Sequence, residues 1–209
     1  MYKFSKNSHT NVMVKTSITP RTQQSIYINS GRRGASADFA NFLRALLRPR
    51  LACGRKLVLL CIGTDRITGD SLGPIIGHNL AKSRVIRKHG SAELAVYGTL
   101  DCPVHAKNLS QTLSDIYTQH TDPLVVAVDA SLGRPQNVGF VTIGEGALSP
   151  GAGIENSLPS VGEIYVTGIV NSFGTANMAT LQNTRLALVI KLADVMTKGF
   201  VLALKGFII

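Results

Sequence analysis

Three carboxylates stand where apolar runs give way to glycine. Asp65 and Asp70 lie in LVLLCIGTDRITGDSLGP, between an apolar run and a helical pattern, and Asp129 follows the apolar run of PLVVAVDASLGR. A carboxylate is costly to dehydrate, so acids at the carboxyl edge of a buried sheet, where α/β proteins build their ligand crevices, point to chemistry more than to packing. If the two strands are neighbours they lie about 4.8 Å apart, and side chains just beyond their ends can come within hydrogen-bonding reach. Two carboxyls that close share one proton; one can then activate water while the other protonates a leaving group. Each residue also has a structural role open to it. Asp70 could cap the helix that follows, and Asp129 could accept backbone N–H groups in a turn. Taken singly, each suits that role; taken together, in a crevice rimmed by a Gly-rich loop, they suit catalysis.

Other chemistries fit the same residues less well. A phosphate loop needs closely spaced glycines and usually a lysine. Here Gly63, Gly69 and Gly73 are spread out, no lysine follows, and two carboxylates would repel the anion. A metal could draw on Asp70, Asp129 and His78 or His105, but no HxxxH or HExxH spacing is present. His78 would sit about 12 Å along a helix from Asp70, too far to share an ion with it. Cys102 and His105 are three residues apart near an expected helix start, yet nothing orients the histidine as a base. Cys61, inside an apolar strand, reads as inert packing, and His89 and His120 read as solvated.

The elements that must position these residues alternate. Ser36 can cap a helix carrying Phe39, Phe42, Leu43, Leu46 and Leu47, which Pro49 ends. Strand 57–62, helix 71–88, strand 93–98, a helix opened by Asp101 and Pro103, and strand 124–128 follow. Near-continuous apolar strands separated by helices describe a parallel sheet covered on both faces. After Gly133, Arg134 and Pro135 the run VGFVTI comes too soon to return through a helix, so it should run antiparallel. The Gly/Pro-rich stretch 144–162 reads as a loop at the mouth of a site. Strand 163–169 and a helix over 175–198 complete the pattern, with Met178, Leu181, Leu188, Ile190, Leu192 and Val195 as apolar contacts. Gln182, Asn183 and Arg185 are polar positions that could face the sheet edge.

Composition bounds the partners. With 209 residues, 44% of them apolar, the chain can bury a core. Its formal charge of +10 lies in residues 1–56, which hold 11 Lys or Arg against one acid, Asp38; residues 57–209 hold 11 of each sign. Residues 1–34 show no sustained period and read as a basic flexible arm, dispensable for stability, ahead of a single domain over 35–209. A solvated tail is the simpler account of that arm, so nucleic acid is not an expected partner. No signal-peptide core and no run of about 18 apolar residues is present, and three cysteines without a CxxC suit a reducing cytoplasm.

Five segments, CIGTDRITGDSLGP, VYGTLDCPVHAKNL, VAVDASLGR, GEGALSPGAG and TGIVN, in this order and spacing, closely resemble the YyaC family of sporulation-linked proteins over about residues 56–200. That family is similar, more remotely, to the germination protease of spore formers and to hydrogenase maturation proteases. The resemblance implies a three-layer α/β/α sandwich of the phosphorylase/hydrolase-like kind, with a mixed five-stranded sheet of order 2-1-3-5-4 in which strand 4 alone is antiparallel. The germination protease is an aspartic peptidase whose catalytic carboxylates map onto Asp70 in TGDSLGP and Asp129 in VAVDASLGR. Thr64, Asp65, His105 and Asn171, in the same motifs, are then expected as supporting or substrate-binding residues. In the maturation proteases the two acids bind metal together with a histidine from the loop before the last strand. This chain has no histidine after His120, so a metal-free acid pair without a cofactor is the better carry-over.

These lines converge on a cytoplasmic, forespore-compatible aspartic-type peptidase that acts on a peptide or protein with water as nucleophile. The alternative is a non-catalytic peptide-binding or regulatory protein on the same fold. Neither substrate nor oligomeric state is specified by these residues.

Overall fold

The computed structural model describes residues 13–15, 25–84, 94–151, 158–174, 177–205 and 207. Seven strands form one mixed sheet: β1 (Met13–Lys15), β2 (Ser25–Asn29), β3 (Leu57–Cys61), β4 (Leu94–Tyr97), β5 (Leu124–Gly133), β6 (Phe140–Glu145) and β7 (Ile164–Ser172). Their order is β1-β2-β6-β7-β5-β3-β4. The β7-β5-β3-β4 half is parallel, and β6 runs antiparallel to both β7 and β2. The helices are α1 (Ala35–Leu51), α2 (Leu72–Lys82), α3 (Leu109–Gln119), α4 (Asn177–Gln182) and α5 (Leu186–Leu204).

Period-two alternation along the strands divides the apolar side chains between two layers. Leu59, Cys61, Val126, Val128, Ile143 and Val166 face α1, α2 and α5. Val58, Leu60, Val125 and Ala127 face Leu109 and Ile116 of α3. The result is an α/β/α-like arrangement. On the first side α1 and α5 meet through Phe39 and Phe200, whose rings lie edge to face with centroids 5.0 Å apart. A Cβ on Gly199 would come within 2.3 Å of the Phe39 ring, so that contact needs glycine.

Several expectations are corrected. The sheet has seven strands, not five, because the leader contributes two: Ile26 and Ile28 of β2 are buried in the core, and all five β2 residues pair with β6. The expected flexible arm over 1–34 therefore does not extend through 25–29. An alternating five-residue run, SIYIN, is enough to make a strand once a neighbour supplies its hydrogen bonds. Ser36 does not cap α1; its hydroxyl donates to the Val195 carbonyl of α5, and Pro49 lies inside the helix, not beyond it. The helix expected from Asp101 begins only at Leu109, because Val104 first pairs alongside Ile62 as a short parallel bridge. The helix expected over 175–198 is two helices. They break at Thr184, which is buried, whereas Gln182, Asn183 and Arg185 are exposed and do not face the sheet. Met178 and Ile190 are likewise exposed, not packed. The part of the expected helix 71–88 beyond Arg84, and His89, lie outside the described residues. So do residues 152–157 of the expected mouth loop, whose described ends join through Leu148 and Val161.

Candidate functional site at the carboxyl edge of the parallel strands

The parallel pairing of β3 with β5 ends at Cys61 and Val128, followed by a last bond from Ile62 N–H to the Val128 carbonyl at 2.7 Å. Beyond it β3 turns away while β5 continues to Gly133 against β7. Asp129 is the first residue past that divergence. It stays 93% buried although the β3–β5 pairing ends at Val128, one residue before it.

The chain leaving β3 is folded back tightly. Gly63 has φ +139°, and its N–H donates to the Val104 carbonyl at 2.8 Å. A Cβ at Gly73 would lie 2.0 Å from the Ile62 carbonyl oxygen, so the first turn of α2 can rest directly on the end of β3. The glycines that failed as a phosphate loop thus serve close backbone approach. Between them a 3-10 turn, Thr68–Ser71, carries Asp70. A Cβ on Gly69 would meet Thr184 Oγ1 at 2.8 Å, which seats this turn on the α4–α5 junction.

Asp70 does not cap α2. Its Oδ2 accepts the Thr64 N–H at 2.8 Å, so the carboxylate closes its own loop. Asp129 Oδ1 accepts the Ala130 N–H at 2.7 Å. Dehydration pushes the Asp129 carboxyl well above the ordinary carboxylate range, and the negative charge of Asp70 pushes it further against the Ala130 bond. Dehydration also raises Asp70, opposed by the Thr64 N–H and by the charge of His105. The structure therefore brings Asp70 within electrostatic reach of both Asp129 and His105. At a pH where one acid is ionised, the other can hold a proton.

The remaining expected residues divide. Thr64 belongs to this cluster through its backbone, and its hydroxyl accepts from the Arg66 N–H. His105 is half-buried in a loop pinned by Asn108, whose side chain accepts the His105 N–H and donates to the Pro103 carbonyl. Asp65 is exposed, and among the described residues no hydrogen bond or ion pair ties it to the two acids. Asn171 serves the scaffold: its amide donates to the Thr180 carbonyl and to Thr184 Oγ1, the hydroxyl on which Gly69 rests. The sequence reading missed Thr184. Nothing in the sequence marked it, since it falls inside the single helical pattern read over 175–198.

Among the described residues no group of three or more His, Cys, Asp or Glu side chains is placed to hold a metal ion. His78 lies 3.5 Å from Asp101, and no hydrogen bond joins Cys102 to His105 among the described residues. Burial pushes the Cys61 thiol up to about 12, as an inert core position requires. His120, expected to be solvated, instead meets the Tyr97 hydroxyl at 3.0 Å. No described helix is long and apolar enough to cross a membrane.

Residues 27–199 match the family described as "Protein of unknown function (DUF1256)". The match begins inside β2, so the family unit includes the leader strand that the segment resemblance left out. The chain is also 44% identical over 173 residues, 83% of its length and 80% of the relative's, to the "Uncharacterized protein YyaC" of Bacillus subtilis strain 168. A match that runs from β2 into α5 takes in both acids and every strand from β2 to β7, and the chain belongs to the DUF1256/YyaC family.

Proposed function

We propose that this protein is a sporulation-associated aspartic-type peptidase in which Asp70 and Asp129 act on one water molecule and one peptide bond. The observation that carries the reading is the burial of Asp129 at the carboxyl edge of the parallel strands, where dehydration and the charge of Asp70 both raise its carboxyl. Asp70 keeps an N–H donor and a nearby histidine, both of which favour its ionised form. Asp70 is then the base that takes a proton from water, and Asp129 is the acid that gives its proton to the departing amine. After bond cleavage the proton taken by Asp70 returns to Asp129, and the pair is restored. The α/β/α-like arrangement, and the remote resemblance of the segments around Asp70 and Asp129 to the germination protease, support the same assignment.

The test is to incubate the purified full chain with a spore-protein extract and identify new peptide termini by mass spectrometry. Cleavage is expected at defined sites and should fall by about 10³-fold or more in Asp70→Asn and in Asp129→Asn. An extract left intact by the wild-type chain, or cut equally by both variants, would overturn the reading. It would leave the protein a binding or regulatory member of the fold.

A further inference from the structure

Beside Asp129 the sheet carries a row of hydroxyls. Asp129 pairs with Thr167, Thr167 with Thr142, and Thr142 with Tyr27, so the four side chains share one face across β5, β7, β6 and β2. The hydroxyls of Thr142 and Thr167 hydrogen-bond to each other, and Ser131 Oγ donates to Thr167 Oγ1 at 3.3 Å. On this face the α3 layer covers β3 and β5, whereas a cavity of about 290 Å³ opens over the hydroxyl row. Arg134, Asn137 and the two-thirds-exposed Phe173 also line it, together with Leu132, Gly133 and Ile169.

The lining has a definite chemical bias. Arg134 is its one charged residue, and no acid lines the cavity. Among the described residues the exposed Arg134 guanidinium and the half-buried Asn137 amide make no ion pair or hydrogen bond, and the Tyr27 hydroxyl lies within electrostatic reach of Tyr165. By contrast, Arg32 pairs with Asp38, Arg50 with Glu145, and Arg55 with Asp122 and Glu163. An unpaired guanidinium, an amide and hydroxyl donors around a space larger than a single side chain favour a carboxylate. Position adds to this. Ser131 lies two residues beyond Asp129 on the same strand face, about 6.6 Å along it, which is also the spacing of alternate side chains in an extended peptide.

We propose that this cavity is a substrate subsite that takes a carboxylate of the bound peptide, one or two residues from the bond presented to Asp129. The proposal rests on the peptidase reading above for its substrate, while its test does not depend on turnover. Tyr27 makes the leader strand one wall of the subsite, and Arg134 supplies the charge that selects for it.

The experiment measures binding to the full chain, by calorimetric titration and amide chemical shifts, of three N-acetylated alanine hexapeptides, the first two also amidated at the C-terminus. One carries a central Glu, one a central Gln, and one no acidic side chain but a free C-terminal carboxylate. One of the two carboxylate peptides is expected to bind about tenfold more tightly than the Gln peptide, and which one it is identifies the source as side chain or chain end. That preference should vanish in Arg134→Gln, persist in part in Arg134→Lys, and weaken about threefold in Tyr27→Phe. Equal affinity for all three peptides, or a preference unchanged in Arg134→Gln, would overturn the subsite. Carboxylate-selective binding by a chain that cuts no peptide would support the subsite and overturn the peptidase reading, so the two fail separately.

Discussion

At the scale of single residues the candidate site is a balance between dehydration and neighbouring charge. Asp129 receives one N–H bond and the repulsion of Asp70, so its charged form is disfavoured in the fold. The unfolded chain has no such bias and titrates near 3.9. Between that value and the raised one the folded chain binds more protons, so stability falls as pH rises through this window and stays lower above it. Asp129→Asn keeps an acceptor for the Ala130 N–H and removes the carboxyl whose charged form the fold disfavours. The variant should melt roughly 2–4 °C above wild type at neutral pH, what about 1 kcal/mol is worth in a chain of this size. The gain should disappear below the ordinary carboxylate range. Asp70→Asn should gain less, because the Thr64 N–H and the His105 charge already offset the dehydration of Asp70. Calorimetric melts from pH 3 to 8 check both, and an Asp129→Asn chain that melts below wild type at neutral pH would contradict the assignment. For cleavage the same directions give a bell: activity falls at acid pH as Asp70 takes up a proton and at higher pH as Asp129 loses one, two steps that belong to the coupled pair.

At the scale of elements, the site depends on how closely backbone can approach backbone. Gly73 and Gly63 let α2 and its preceding turn rest on the end of β3, and Gly69 seats the same turn on Thr184. Gly73→Ala forces a Cβ to within 2.0 Å of the Ile62 oxygen, with no flexible atom to yield. A loss of about 3 kcal/mol is expected, together with displacement of Asp70. Gly54→Ala, at φ +74° with nothing within 4 Å, should cost only about 1 kcal/mol. Denaturant unfolding of the two variants checks the contrast, and equal losses would show that close approach is not what Gly73 supplies. This layer of the design was half legible in the sequence. The apolar runs of β3 and β5 and the acids after them could be read because burial on both faces leaves an unbroken hydrophobic signal. The antiparallel sense of β6 followed from a connection too short for a crossover. The later start of α3 and the break at Thr184 could not be read, since each is decided by a partner distant in sequence: Ile62 for Val104, and Asn171 for Thr184.

At the scale of the whole molecule, the leader is the part whose composition misled. Its basic charge and missing period suggested a solvated arm, but a five-residue strand needs only two inward positions, and Ile26 and Ile28 supply them. Both are buried among α1, β6 and α5 residues of the main core, while Tyr27, between them, lines the cavity on the other face. A chain lacking residues 1–34 would expose the full hydrogen-bonding edge of β6 and leave the core without both isoleucines. Ile28→Ala alone should cost about 2–4 kcal/mol, and the truncation should cost more. Its melting temperature should drop by about 10 °C or more, at roughly 2–4 °C for each kcal/mol, and the unpaired β6 edge should make the shortened chain prone to association. Calorimetry and light scattering on the full chain, the Ile28→Ala variant and the truncated chain check this. A truncated chain that melts within a degree or two of the full one and stays monodisperse would show that the sheet ends at β6 and that the leader strand contributes neither to the core nor to the wall of the cavity.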